Sequence, residues 1–142
     1  MSDYEEFQKE VQQNEKENEK LLAEFEGYLR KKGLKPKTIH NHRLNVDFYI
    51  NDYLNYYDSF KAVEGTQFIS GFLGDWFIRK ALWSSKAFIK SSAASIKKFY
   101  TFMYEKKLIS KDDLDDLKME IKEMLPDWLE AMENYENSIE DW

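Results

Sequence analysis

Cysteine is missing altogether, so the chain can hold neither a disulfide framework nor a thiolate metal site, and an intracellular location is the expectation. No apolar run approaches the roughly 20 residues that a bilayer-spanning helix needs. The start, MSDYEEFQKE, lacks the basic-then-apolar order of a signal peptide. A soluble, cytoplasmic protein without a membrane partner is therefore expected. Only two prolines and five glycines punctuate the 142 residues. There is no glycine-rich phosphate loop, no internal repeat and no alternating apolar–polar segment of the kind that makes a half-buried strand. The fold class that remains is all-α with short connections.

What is present suffices for a packed core. Hydrophobic residues make up 42% of the chain and aromatic ones 16%, which argues against disorder even at a mean hydropathy of −0.74. The net charge of −6 conceals three blocks: residues 1–28 carry 3 basic and 9 acidic side chains, 29–111 carry 16 and 6, and 112–142 carry 2 and 12. An acidic protein thus has a basic middle of local charge +10. That is the electrostatic footprint of a segment that meets polyanions. The alternative is that the acidic ends fold against the middle and neutralise it, since opposite charges attract over a Debye length of about 8 Å.

Helical periodicity sets the organisation. Tyr4, Phe7 and Val11 share a stripe, but Gln12–Lys20 contains no apolar residue, so residues 1–18 read as a polar helical arm, solvated or in an intermolecular coiled contact. Leu21, Leu22, Phe25, Tyr28 and Leu29 mark a helix over about 19–32. Gly33 suits a left-handed helix stop and Pro36 the first turn of the next helix. In that second helix Ile39, Val46, Ile50, Tyr53 and Tyr57 form the inward stripe, while Leu44 and Phe48 fall on the opposite side. Two apolar sides need two partners, and the acidic C-terminal helices are the expected cover. Thr66 is a candidate N-cap for a third helix through Phe68, Ile69, Phe72, Leu73, Trp76 and Phe77, with Gly71 and Gly74 implying close backbone packing.

Ser84 or Ser85 is expected to cap a fourth helix with Ile89, Ala93, Ile96, Tyr100 and Met103 inward and Lys90, Ser91, Ala94, Lys98 and Thr101 outward. Ser110 opens a capping-box-like start for a fifth helix through Leu114, Leu117, Ile121 and Leu125. Pro126 is expected to end or redirect it, and Trp128, Leu129, Met132 and Tyr135 continue as a sixth. The divisions expected are an arm at 1–18, a helical core at 19–110 and an acidic helical extension at 111–142.

Little in the sequence points to catalysis. His40 and His42 stand two apart on a helix, about 200° around the axis, and cannot share a metal. Asp112, Asp113, Asp115 and Asp116 lack the spacing, glycine and terminal Glu of a calcium loop. No Ser, His and Asp arrangement has local context. The expectation is a protein that is not an enzyme and needs no cofactor. The positive signal is basic and hydroxyl side chains crowding two helix starts: Lys35, Lys37, Thr38, His40 and Asn41 at the second helix, Lys86, Lys90 and Ser91 at the fourth. Backbone N–H groups and side-chain donors point the same way there, which suits phosphate.

The stretch FEGYLRKKGLKPKTIHNHRLNVDFYINDYL resembles the start of the N-terminal core-binding, SAM-like domain of tyrosine recombinases of the phage-integrase type: an aromatic and Tyr-Leu, a Lys-Gly-Leu turn, then a Thr that opens the next helix. SSAASIKKFYTFMYEKKLIS, residues 91–110, is similar to that domain's fourth-helix signature. The resemblance covers about 20–110. It implies a compact bundle of four core helices, extended by the acidic C-terminal helices and the polar arm, that clamps one face of duplex DNA. The positions that match the family's DNA-facing ones are Lys35, Lys37, Thr38 and Arg43 in the second helix and Lys90 and Lys97, with Lys98 beside them, in the fourth. Lys35 stands where the family usually has a capping serine. Nothing after Lys107 resembles the recombinase catalytic domain, so duplex DNA binding without strand cleavage is the implied function. The alternative is a protein-interaction module on the same fold, whose acidic C-terminal helices mask the basic face or bind a basic partner.

Overall fold

The computed structural model describes residues 2–81 and 83–140, Glu140 by its backbone alone. Among the described residues the regular structure is all helical, with six α-helices and no strand: α1 (Asp3–Lys31), α2 (Pro36–Asp47), α3 (Ile69–Gly71), α4 (Phe77–Lys80), α5 (Lys86–Glu105) and α6 (Lys111–Glu140). A π-helical segment, Phe48–Tyr53, prolongs α2, and another, Phe72–Trp76, joins α3 to α4. A 3₁₀ turn spans Ala62–Gln67. The fold divides into two compact units between Gly65 and Thr66. This cut runs through the basic middle and leaves each unit with one long acidic helix, α1 in the first and α6 in the second.

In the first unit α1 packs along α2, burying Leu22, Phe25, Leu29, Ile39, Val46 and Ile50. The turn between them is the one expected at Gly33. Its φ is 85°, and the Gly33 and Leu34 amides donate to the Arg30 and Leu29 carbonyls at 3.0 and 3.2 Å. This satisfies carbonyls the helix end would otherwise leave open. Pro36 occupies the first turn of α2, as its fixed φ and missing N–H favour.

α1 runs through residue 18 without interruption, joining the polar leader to the helix over 19–32. Asn14 and Asn18, in the stretch that reads as a solvated arm, are buried at 3% and 1% exposure. Asn14 Nδ2 donates to Asn55 Oδ1 at 3.1 Å and to the Phe60 carbonyl at 3.3 Å. Asn18 Nδ2 donates to Asn51 Oδ1 at 2.7 Å and to the Ile50 carbonyl at 3.3 Å. Hydrogen bonding thus docks a helix face that has no apolar residue.

The same contacts accompany the π segment. Its wider turn moves hydrogen bonding to i−5, as in Leu54 N–H to Tyr49 O at 3.0 Å, and the Ile50 carbonyl accepts from two side-chain amides, Asn18 and Asn55. The extra residue in the turn also rotates the inward stripe. Tyr49 and Leu54 become buried, Tyr53 is only half-buried and Tyr57 is 67% exposed. The expected stripe therefore holds from Ile39 to Ile50 and fails beyond. Leu44 is 51% exposed and Phe48 half-buried.

In the second unit α6 packs against α5 and the 69–80 segment, burying Leu114, Leu117, Ile121, Trp128 and Met132. Ser85 caps α5 through Phe88 N–H at 3.2 Å, and the Ser110 hydroxyl accepts from Asp113 N–H at 3.0 Å, both as expected. Thr66 is instead buried within the 3₁₀ turn, and Phe68 stands at the start of α3 with no side-chain cap. Pro126 does not end the helix: α6 continues to Glu140. Pro126 and Lys122, whose carbonyl loses its helical donor, are both exposed, so water can take that bond. Continuation carries Trp128 and Met132 into the core.

Gly74 fulfils the expectation of close packing. A Cβ there would lie 2.7 Å from Trp128 Cδ1 and 3.0 Å from its Nε1. Gly74→Ala is thus expected to destabilise the second unit by about 2 kcal/mol, read as a lower urea midpoint, because a buried indole ring has no room to retreat. Trp128→Phe in the Gly74→Ala background should recover part of that loss.

Candidate nucleic-acid interface

At the start of α2 the expected donors lie together and open to solvent. Lys35, Lys37, Thr38, His40 and Asn41 are all exposed. Lys35 occupies the N-cap with extended backbone and offers no side-chain acceptor. The first helical bond after it is Ile39 N–H to Lys35 O at 3.0 Å. The Lys37 and Thr38 amides, in the first turn, are thereby left to an external acceptor, and no acidic residue stands in that turn to supply one.

Arg43 is the exception in this group. Its guanidinium binds Glu19 Oε1 at 2.6 Å and Glu26 Oε1 at 3.1 Å, and its side chain is only 22% exposed. Burial works against its charge, but hydrogen bonds and attraction from Glu19 and Glu26 outweigh it and raise its pKa. Arg43 ties α1 to α2 rather than reaching outward, so the structure removes it from the exposed set. Its place on the helix explains why: it lies about 40° from the stripe headed by Ile39.

In the second unit the basic surface is the outer face of α5. Lys90, Ser91, Ala94, Lys97 and Lys98 are exposed along it, and Thr101 is half-exposed with its hydroxyl donating to the Lys97 carbonyl at 2.8 Å. The beginning of this helix differs from that of α2. Ser85 already supplies its cap, and Lys86 Nζ lies 3.4 Å from Glu133 Oε1 of α6. The phosphate-like environment expected at the α5 start is thus occupied by the protein's own groups, and the open cations lie further along. The Glu133 contact was not legible in the sequence, because it needs α6 to pass Pro126 unbroken.

A cleft of about 330 Å³ in the first unit is lined by Glu10, Gln13, Asn14, Ser59, Lys61 and Glu64. There the Ser59 hydroxyl donates to Glu10, Lys61 N–H to Glu64 at 2.8 Å, and Lys61 Nζ to Glu17 at 3.2 Å. Among the described residues no group of three His, Asp or Glu side chains is placed to hold a metal ion, and no helix is long and apolar enough to cross a membrane.

In comparison with known proteins, no family model, no curated protein and no solved structure matches the chain.

Proposed function

We propose that this chain is a non-catalytic module that binds duplex DNA through phosphate contacts, in the manner of the core-binding domains of tyrosine recombinases that its sequence resembles. The observation that carries the reading is the start of α2, where Lys35, Lys37, Thr38, His40 and Asn41 are exposed around an N-terminus with no side-chain cap and no acid in its first turn. Lys90, Lys97 and Lys98 on α5 supply a second cationic strip, and Ser91 a hydroxyl beside it. Backbone amides and lysines of this kind position a phosphate backbone and neutralise it.

The Lys86–Glu133 ion pair favours one second reading, in which the acidic α6 competes with DNA for the α5 lysines or takes a basic protein partner. With 42% and 56% side-chain exposure this pair contributes little to stability, so breaking it isolates the masking effect.

Titration of a fluorescent duplex tests both readings. Lys35→Glu/Lys37→Glu is expected to weaken binding at least about tenfold at low salt, and Lys90→Glu/Lys97→Glu/Lys98→Glu by a similar factor. Glu133→Gln is expected to tighten binding about two- to threefold if α6 masks α5, and to leave it unchanged if it does not. Unaltered affinity in both lysine variants contradicts the DNA reading.

A further inference from the structure

The cleft of the first unit, about 330 Å³ between α1 and residues 59–64, keeps acceptors that its internal bonds do not use. Two are carboxylates, each held in place through one oxygen. The Ser59 hydroxyl donates to Glu10, and the Ser59 amide is itself fixed on Asp58 Oδ1 at 2.7 Å. Lys61 N–H donates to Glu64 Oε2 at 2.8 Å, while Glu64 N–H donates to the Lys61 carbonyl at 2.9 Å. The Glu64 side chain thus reaches back to the amide three residues before it, as at a helix start. Glu10 and Glu64 each keep a second oxygen for the cleft, and neither forms an ion pair among the described residues.

Asn14 supplies a third acceptor, from a side chain that is 3% exposed. Its Nδ2 is committed to two oxygens, Asn55 Oδ1 and the Phe60 carbonyl. That fixes the orientation of the amide, because the reverse one would set oxygen against oxygen. Oδ1 is the branch left to the cleft that Asn14 lines, and it accepts no hydrogen bond among the described residues. An acceptor on so buried a side chain is costly to leave without a donor.

Charge and donor count select the ligand. The cation on the cleft wall, Lys61, is drawn aside: its Nζ donates to Glu17 Oε2 at 3.2 Å, and Gln13 Nε2 donates to Glu17 Oε1 at 3.2 Å. Two carboxylates therefore face the cleft without a counter-charge of their own, which favours a cation. With no group of three His, Asp or Glu side chains placed for a metal ion among the described residues, that cation is organic. The planar fork of a guanidinium is best met by both oxygens of one carboxylate, and here one oxygen of each is already engaged. Three single acceptors instead match the three N–H donors of an ammonium.

We infer that this cleft binds a primary alkylammonium, with Glu10, Glu64 and Asn14 Oδ1 each accepting one of its donors. The site is independent of the DNA-binding reading, since it uses none of the lysines of α2 and α5. A free diamine and the lysine side chain of another protein present the same group.

Titration of the full chain with diaminobutane and with Nα-acetyl-lysine amide at low salt, followed by nitrogen-edited NMR, tests the inference and separates these sources. Saturable binding is expected with a Kd of about 1 mM. The largest shifts should fall on the Asn14 side-chain amide and the Ser59 and Lys61 backbone amides. Glu10→Gln/Glu64→Gln should weaken binding at least about tenfold, through loss of both charges. Each glutamine can still accept the Ser59 or Lys61 bond, and an unchanged urea midpoint verifies the fold. Lys61→Met, which leaves the Glu17 charge uncompensated beside the cleft, should tighten binding about twofold. Saturation by the diamine alone makes the ligand a small free amine, whereas equal saturation by the blocked lysine makes it a protein side chain; the site stands in both cases. No saturation by either amine up to about 20 mM overturns the inference. So do shifts spread along α6 that the double variant leaves unchanged, and so does tighter binding of Nα-acetyl-arginine amide.

Discussion

Trp128→Ala is expected to lower the stability of the second unit by about 3–5 kcal/mol, the range for removing a large buried aromatic side chain. Trp128 is 2% exposed, and its indole lies against the Gly74 backbone so closely that a Cβ on that residue would overlap the ring. It sits two residues past Pro126, so its position depends on α6 staying helical through the proline. Truncation of the ring leaves a cavity facing the π segment Phe72–Trp76, which α6 packs against. Hydrogen exchange should show the loss of protection concentrated in α5, α6 and residues 69–80, with α1 and α2 little affected. Protection unchanged in the second unit would mean that α6 is not part of its core. By the same reasoning a chain cut near Lys111 cannot serve as an unmasked DNA-binding form, because it also loses Leu114, Leu117, Ile121 and Met132 from that core.

The double substitution Asn14→Ala/Asn18→Ala is expected to destabilise the first unit by about 3–4 kcal/mol. Each change strips donors from buried acceptors, at about 1–3 kcal/mol apiece. Asn18 takes its 3.3 Å bond from the Ile50 carbonyl, where Asn55 remains at 3.4 Å, and leaves Asn51 without its 2.7 Å donor; Asn14 takes its bonds from the Phe60 carbonyl and Asn55 Oδ1. Urea unfolding followed by far-UV circular dichroism measures the loss, and the single variants show whether the two sites couple. An unchanged midpoint would restore the solvated-arm reading of residues 1–18. The Asn18→Ala chain should also exchange its Tyr49–Leu54 amides faster, since a side-chain bond holding the Ile50 carbonyl is gone.

The contrast between these two helices shows what the sequence made legible. Local chemistry was readable wherever one residue type acts on its own backbone: Gly33 at positive φ, Pro36 in a first turn, Ser85 and Ser110 as caps. Apolar periodicity was readable for the same reason in α5, where Ile89, Ala93, Ile96, Tyr100 and Met103 are all buried. Features that need a distant partner were not. Asn14 and Asn18 look like solvent-facing residues until Asn51, Asn55 and the Ile50 and Phe60 carbonyls are brought to them from more than 30 positions away. The π segment shifts the stripe at Tyr53 and Tyr57 without a sequence signal, and Lys107 takes a left-handed φ of 64° where a glycine would have announced it.

For the candidate site the same division holds. The crowding of Lys35, Lys37, Thr38, His40 and Asn41 at the start of α2 was legible as a local pattern, whereas the Glu19 and Glu26 bonds of Arg43 and the Glu133 contact of Lys86 depend on how helices meet. Two of the expected cations are thereby withdrawn or shared, and the exposed lysines of the two strips are Lys35, Lys37, Lys90, Lys97 and Lys98.

The most direct test of the account is the salt dependence of duplex binding by the intact chain. Phosphate neutralisation releases counterions, giving a log–log slope of about −0.9 for each phosphate engaged, so five open lysines predict a slope of about −4.5 and a steep loss of affinity between 50 and 200 mM salt. The Lys35→Glu/Lys37→Glu chain should show a slope shallower by about 2. A wild-type slope near zero, or no binding at about 50 mM salt, would contradict the proposal that these lysines hold DNA.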